Sequence, residues 1–86
     1  MIYQLLFSDQ AAKDIKRLDQ KLQRRVLART GQLAENPFNP RVSKWLAATD
    51  DRTSRVGDWR IIYRIDQQER KIWILAVRSR GRAYRS

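Results

Sequence analysis

Residues 55–65 read RVGDWRIIYRI, a β-branched and aromatic run interrupted by Arg55, Arg60 and Arg64. Gly57-Asp58 fits a two-residue hairpin turn. Such a turn sets Val56 opposite Trp59, Arg55 opposite Arg60, Ser54 opposite Ile61 and Thr53 opposite Ile62. Side chains alternate along a strand, so Trp59, Ile61, Tyr63 and Ile65 share an apolar face. Arg60, Ile62 and Arg64 then share the other, joined across the hairpin by Arg55 and Thr53. Two guanidiniums directly opposite each other are unfavourable. At roughly 6 Å and an effective dielectric near 20 the repulsion is about 3 kcal/mol, less once the side chains splay into water. An anion held between them reverses that sign. The planar fork of arginine donors matches phosphate geometry, so the arrangement predicts a phosphate-binding sheet face with Arg55 and Arg60 at its centre. The segment RSRGRAYRS at 78–86 adds Arg78, Arg80, Arg82 and Arg85 around Tyr84. Arginine interleaved with an aromatic suits tracking a backbone while stacking a base.

The rest of the composition narrows the chemistry. The chain has no histidine and no cysteine, which removes the commonest general acid–base, the thiolate nucleophile and the usual zinc ligands. Asp50-Asp51 is the only adjacent acid pair and reads as a turn rather than a magnesium site. No phosphate-cradling glycine loop and no Ser–His–Asp set is present. An enzyme built from these residues works without cofactor, metal or imidazole. RNA permits that, because its 2′-hydroxyl is an internal nucleophile and positioning supplies much of the acceleration. Arginines stabilise the charge that develops on phosphorus. Proton transfer is the harder step, since arginine is a poor base. Tyr84 and Lys44 are the candidates, their deprotonated forms favoured by nearby positive charge.

These residues need a frame. Eighty-six residues make a single small domain, 1–86. Nineteen basic against nine acidic residues give a formal charge of +10, the electrostatic footprint of a protein with a polyanionic partner. No stretch resembles a signal peptide or a membrane span, which predicts a soluble, cytoplasmic protein with no membrane partner. Residues 2–7 read as a strand. Ser8 is placed to cap a helix, with Asp9 in its first turn. Ala12, Ile15, Leu18 and Leu22, then Val26, Thr30 and Leu33, recur at helical spacing. A break at Asp19-Gln20 divides 9–35 into two helices, and Asn36-Pro37 ends the second. Residues 36–43 form a loop. Residues 52–56, 59–66 and 71–79 read as strands, with 67–70 a longer hairpin loop. Ile72, Ile74 and Ala76 are expected in the core, with Trp73, Leu75, Val77 and Ser79 on the arginine face. The predicted class is α+β: a strand, a two-helix hairpin, then a three-stranded antiparallel meander, with the helices on one face of the sheet.

That element order, the start YQLLFSDQAAKDIKRL, the centre RVGDWRIIYRI and the ending LAVRSRGRAY resemble the RelE/ParE toxin superfamily over essentially the whole chain. Within its RelE branch the resemblance implies the toxin of a type II toxin–antitoxin system. Such a toxin is an mRNA interferase on the 70S ribosome, cutting mRNA in the A site by 2′-hydroxyl attack. By motif position Arg60 matches the arginine that stabilises the transition state. Arg80 matches the arginine assisting the leaving group, with Arg82 as its substitute. Tyr84 matches the tyrosine that orients the substrate. Lys44, in a Lys-x-Leu stretch, matches a lysine that touches RNA phosphate. Lysines found in relatives before the turn are replaced here by Asp51 and Thr53, which leaves the general base open and turns attention to Arg52, Arg55 and Lys44. Arg64 and Arg78 complete the expected substrate-binding set. The resemblance also implies a cognate antitoxin with an acidic segment over the basic groove. The alternative is a ParE-like protein that inhibits DNA gyrase without catalysis, since such members share the hairpin motif.

Overall fold

The computed structural model describes residues 2–46 and 48–79. The elements run β1 (Gln4–Phe7), α1 (Asp9–Lys16), α2 (Gln20–Glu35), β2 (Lys44–Trp45), β3 (Arg52–Val56), β4 (Trp59–Asp66) and β5 (Lys71–Ser79). The strands form one sheet in the order β1-β5-β4-β3-β2. β1 pairs in parallel with β5, and the other pairings are antiparallel. The meander expected at 52–79 is its centre. The two additions are β2, too short to show a period, and the docking of β1 beside the last strand.

Both helices begin where the sequence predicts. Ser8 accepts a hydrogen bond from the Ala11 N–H, and Asp19 accepts one from the Leu22 N–H, each satisfying a donor that the first helical turn leaves open. Ala11, Leu18, Val26 and Leu33 of the helical half meet Val56, Ile61, Tyr63, Ile72, Ile74 and Val77 of the sheet in one core. α1 turns Ala11 and Asp14 inward, not Ala12, which is exposed. The reason is Asp14. This carboxylate is only 5 % exposed, because it serves the edge of β5 beyond the end of β1. Ser8 prepares that junction. Its N–H donates to the Ile74 carbonyl at 2.9 Å and its hydroxyl to the Leu75 carbonyl at 2.9 Å.

The hairpin is as expected. Gly57 takes φ +60°, a conformation glycine adopts at little cost, and Arg55 faces Arg60 with Val56 facing Trp59. On β5 the alternation breaks. Ile62 pairs with Ala76 but Tyr63 with Ile74, so Leu75 is an extra residue, a β-bulge. Beyond it the faces exchange. Val77 is in the core at 2 % exposure and Ala76 is not, the reverse of the expectation from strict alternation.

Tyr63 fastens the loop before β2 to the sheet. Its buried hydroxyl donates to the Pro37 carbonyl at 2.9 Å and shares a second hydrogen bond with Ser43 Oγ. Burial pushes the Tyr63 phenol above its ordinary value, partly offset by Ser43 and Arg52. Tyr63→Phe leaves Pro37 and Ser43 short of a partner and is expected to cost about 1–2 kcal/mol, read by urea denaturation. The folded state holds the phenolic proton more tightly than the unfolded chain. The Tyr63 contribution is therefore complete below about pH 10 and lost as pH rises through the folded value. Stability measured across that range falls more steeply for the wild type than for Tyr63→Phe.

Candidate nucleic-acid interface

Arg55, Arg60 and Arg78 occupy one line across three adjacent strands. Arg55 is in register with Arg60, and Arg60 with Arg78. Directly opposed residues in antiparallel strands have Cα atoms about 5 Å apart, so three cations project from neighbouring strands on the face away from the core. The bulge at Leu75 brings Arg78 into this line together with Ala76, which pairs with Ile62.

Beside Arg55 and Arg60 lies a cavity of about 430 Å³ bordered by Arg29, Arg41, Ser43, Lys44 and Thr53 as well. Five of its lining side chains are cations, and none is a carboxylate. It opens where β2 starts. Lys44 and Trp45 pair with Thr53 and Arg52, leaving the Arg55 carbonyl beyond the first β2 residue, Lys44. Arg29 of α2 reaches that edge, donating from Nη1 to the Arg55 carbonyl at 2.5 Å and to Ser54 Oγ at 3.0 Å. Its Nε donates to Gln32 Oε1 at 2.8 Å. All three acceptors are neutral, so its charge stays uncompensated. Ser43 is held by Tyr63 and Arg52, which fixes the chain direction into Lys44. Among the described residues no carboxylate pairs with Arg29, Arg41, Lys44 or Arg55.

The other expected site residues are distributed differently. Lys44, Arg55 and Arg60 converge on the cavity. Arg52 belongs to the core side of β3 and is 8 % exposed. Its guanidinium stacks between Trp45 (4.8 Å) and Phe38 (5.4 Å), a cation–π arrangement, and its Nε donates to Ser43 Oγ at 2.6 Å. Alternation accounts for this, since Arg52 and Arg55 are three residues apart and point to opposite faces. Arg64 lies further along β4 and donates from Nε to Asp51 Oδ1 at 2.8 Å. Arg78 is paired with Asp14. Arg80, Arg82 and Tyr84 lie outside the described residues. Sequence reading missed Arg29 and Arg41. The signal for Arg29 was Arg25 one helical turn before it, which places two cations on one face of α2; Arg25 approaches Gly57 of the hairpin turn.

Arg55 is exposed and directly opposite another cation, a destabilising arrangement. Arg55→Thr is expected to raise stability by about 0.2–1 kcal/mol at low ionic strength, with the gain fading as salt screens the pair. Thermal denaturation at two salt concentrations reads this.

A family model for the ParE toxin of type II toxin–antitoxin systems (parDE) matches residues 5–84. No curated protein matches the chain. Among solved structures, a RelBE toxin–antitoxin complex from Mycobacterium tuberculosis contains a chain 29 % identical. That match covers 93 % of this chain and 100 % of the other, with a TM-score of 0.82. An archaeal RelE–RelB complex from Pyrococcus horikoshii is 26 % identical over 95 % of this chain and 99 % of the other, with a TM-score of 0.79. The intact Escherichia coli RelBE complex is 16 % identical over 90 % of this chain and 95 % of the other, and its TM-score of 0.78 shows a common fold. The chain belongs to the ParE toxin family of type II toxin–antitoxin systems, within the RelE/ParE superfamily, and its fold is that of the RelE toxins.

Proposed function

We propose that this toxin is an endoribonuclease that cuts mRNA in the ribosomal A site, using the RNA 2′-hydroxyl as nucleophile. The observation that carries the reading is the cavity at Arg55 and Arg60, lined by five cations and no carboxylate. Charge of one sign at that density is matched by a phosphodiester backbone. It also suits a reaction whose chief demand is stabilising negative charge on phosphorus. The likeness to RelE chains of RelBE complexes, over nearly the whole of each chain, favours this branch over the gyrase-directed one.

In this reading Arg60 holds the non-bridging oxygens of the scissile phosphate as their charge grows, and Arg55 shares the load from β3. Arg29, Arg41 and Lys44 line the path of the strand. Arg80 or Arg82 neutralises the leaving oxygen, and Tyr84 orients the base or the 2′-hydroxyl. The proton is taken by Tyr84 or Lys44. The cognate antitoxin silences the site with an acidic segment laid over these cations, and charge complementarity speeds its capture. Among the described residues no helix is long and apolar enough to cross a membrane. The ribosome would be met in the cytoplasm.

The test is to incubate purified toxin with ribosomes carrying a defined mRNA and map the RNA ends. Cleavage within the A-site codon is expected, falling by about 10²–10³ for Arg60→Ala while the far-ultraviolet spectrum stays native. Intact mRNA at toxin concentrations equal to the ribosomes removes the proposal. Inhibition of gyrase supercoiling with translation untouched reassigns the target.

A further inference from the structure

Asp14 is a carboxylate that pairs with one arginine of the arginine line, Arg78. Its Oδ1 accepts from Gln10 Nε2 at 2.8 Å, and its Oδ2 accepts from the Val77 N–H at 2.9 Å. Both oxygens also accept from Arg78 Nη1 at 2.8 Å. The carboxylate is thus saturated and nearly buried, fixed by its own helix and by the backbone of β5. Arg78 is bound to it through a single nitrogen. Nε and Nη2, the other donors of the fork, take no part, and the Arg78 side chain remains 38 % exposed. An ion pair that served stability alone would be best made with two parallel bonds from two nitrogens. Here the geometry anchors one corner of the guanidinium and leaves an edge of donors presented.

The surroundings say what that edge addresses. Arg78 is in register with Arg60 but borders a second cavity, of about 520 Å³, with Arg17, Trp59 and Ser79. Arg60 borders the first cavity on the β3 side. That second cavity lies on the helix side of the sheet, which Trp59 and Val77 face, so what Arg78 shares with Arg60 is the strand register. A nucleic-acid strand crossing β4 and β5 along that register meets Arg60 and Arg78 in succession.

We infer that Asp14 is a positioning residue. It holds Arg78 so that its open edge grips the phosphate next to the one at Arg60. The inference rests on the RNA-binding reading above, but its sign separates it from simple electrostatics. Removing a negative charge from a cationic surface strengthens polyanion binding if charge alone matters. Removing an anchor weakens it, because a freed Arg78 side chain must be ordered again on binding.

The experiment measures fluorescence anisotropy of a labelled 2′-O-methyl RNA oligonucleotide, which lacks the internal nucleophile and so reports binding without cleavage. Asp14→Asn is expected to weaken binding by about tenfold, although it makes the protein more positive. Arg78→Lys retains the charge and the contact to Asp14 and guards against a variant that fails to fold. A single ammonium cannot both hold the anchor and present a second edge, so the same loss is expected. The magnitude of the slope of log K against log salt should fall by about 0.7 for either variant, the share of one phosphate contact on a single strand. The double change of Asp14→Asn with Arg78→Ala should be no worse than either alone. Unchanged or tighter binding by Asp14→Asn in its folded form, or unchanged binding by Arg78→Lys, overturns the assignment. If the wild type shows this coupling yet leaves ribosomal mRNA intact, the nuclease reading falls and the positioning role stands.

Discussion

The turn at Gly57-Asp58 is the constraint on which the arginine face depends. A side-chain period of two means that a slip of one residue would carry every side chain of β3 to the opposite face. Arg55 would then point into the core and Ser54 out of it. A two-residue loop with Gly57 at φ +60° fixes the pairing of Arg55 with Arg60. The apolar run Trp59, Ile61, Tyr63 secures the same register from the other side, since two of these three lie among the core residues and the third packs against them. Turn and core agree, and the cost of the agreement is two like charges placed opposite each other.

The fold manages its arginines by giving each a different electrostatic environment. Arg52 is withdrawn from water and held by aromatic faces and a hydroxyl. Arg64 is held by Asp51 at the far end of β4. Arg78 is tethered by Asp14. Arg29 spends its donors on neutral acceptors and so organises the edge of β3 without losing its charge. The positive charge is concentrated at the start of β2 because no acid lines the cavity there, not because every arginine is gathered there. A count of basic residues gives the sign of the partner; the placement of the few acids gives the site.

Much of this was legible in the sequence. The hairpin register, the cap at Ser8, the break at Asp19-Gln20, and the strands at 52–56, 59–66 and 71–79 are local signals: a glycine turn, a short polar side chain before an apolar period, and alternation. What could not be read locally was set by distant pairing. The bulge at Leu75 exchanged the faces of Ala76 and Val77, and no residue type announces a bulge in a run of aliphatic side chains. Asp14 resembles a solvent residue of an amphipathic helix, and its role appears only once β1 ends at Phe7 and exposes the edge of β5. Arg52 sits among residues read as cationic surface, yet parity places it on the other side of the sheet.

The parallel pairing of β1 with β5 has a consequence for how the protein is made. Gln4 is the partner of Lys71, and Phe7 of Ile74, so the earliest strand waits for the last to complete the sheet. Loop closure over that span is slow compared with local helix formation, and chains are synthesised from the N-terminus onward. While the chain is still being translated, α1 and α2 have no finished sheet to cover and Asp14 has no β5 edge to bind. The arginine line across β3, β4 and β5 is therefore complete only once β5 has emerged and paired, so the cationic face is assembled late and as a unit.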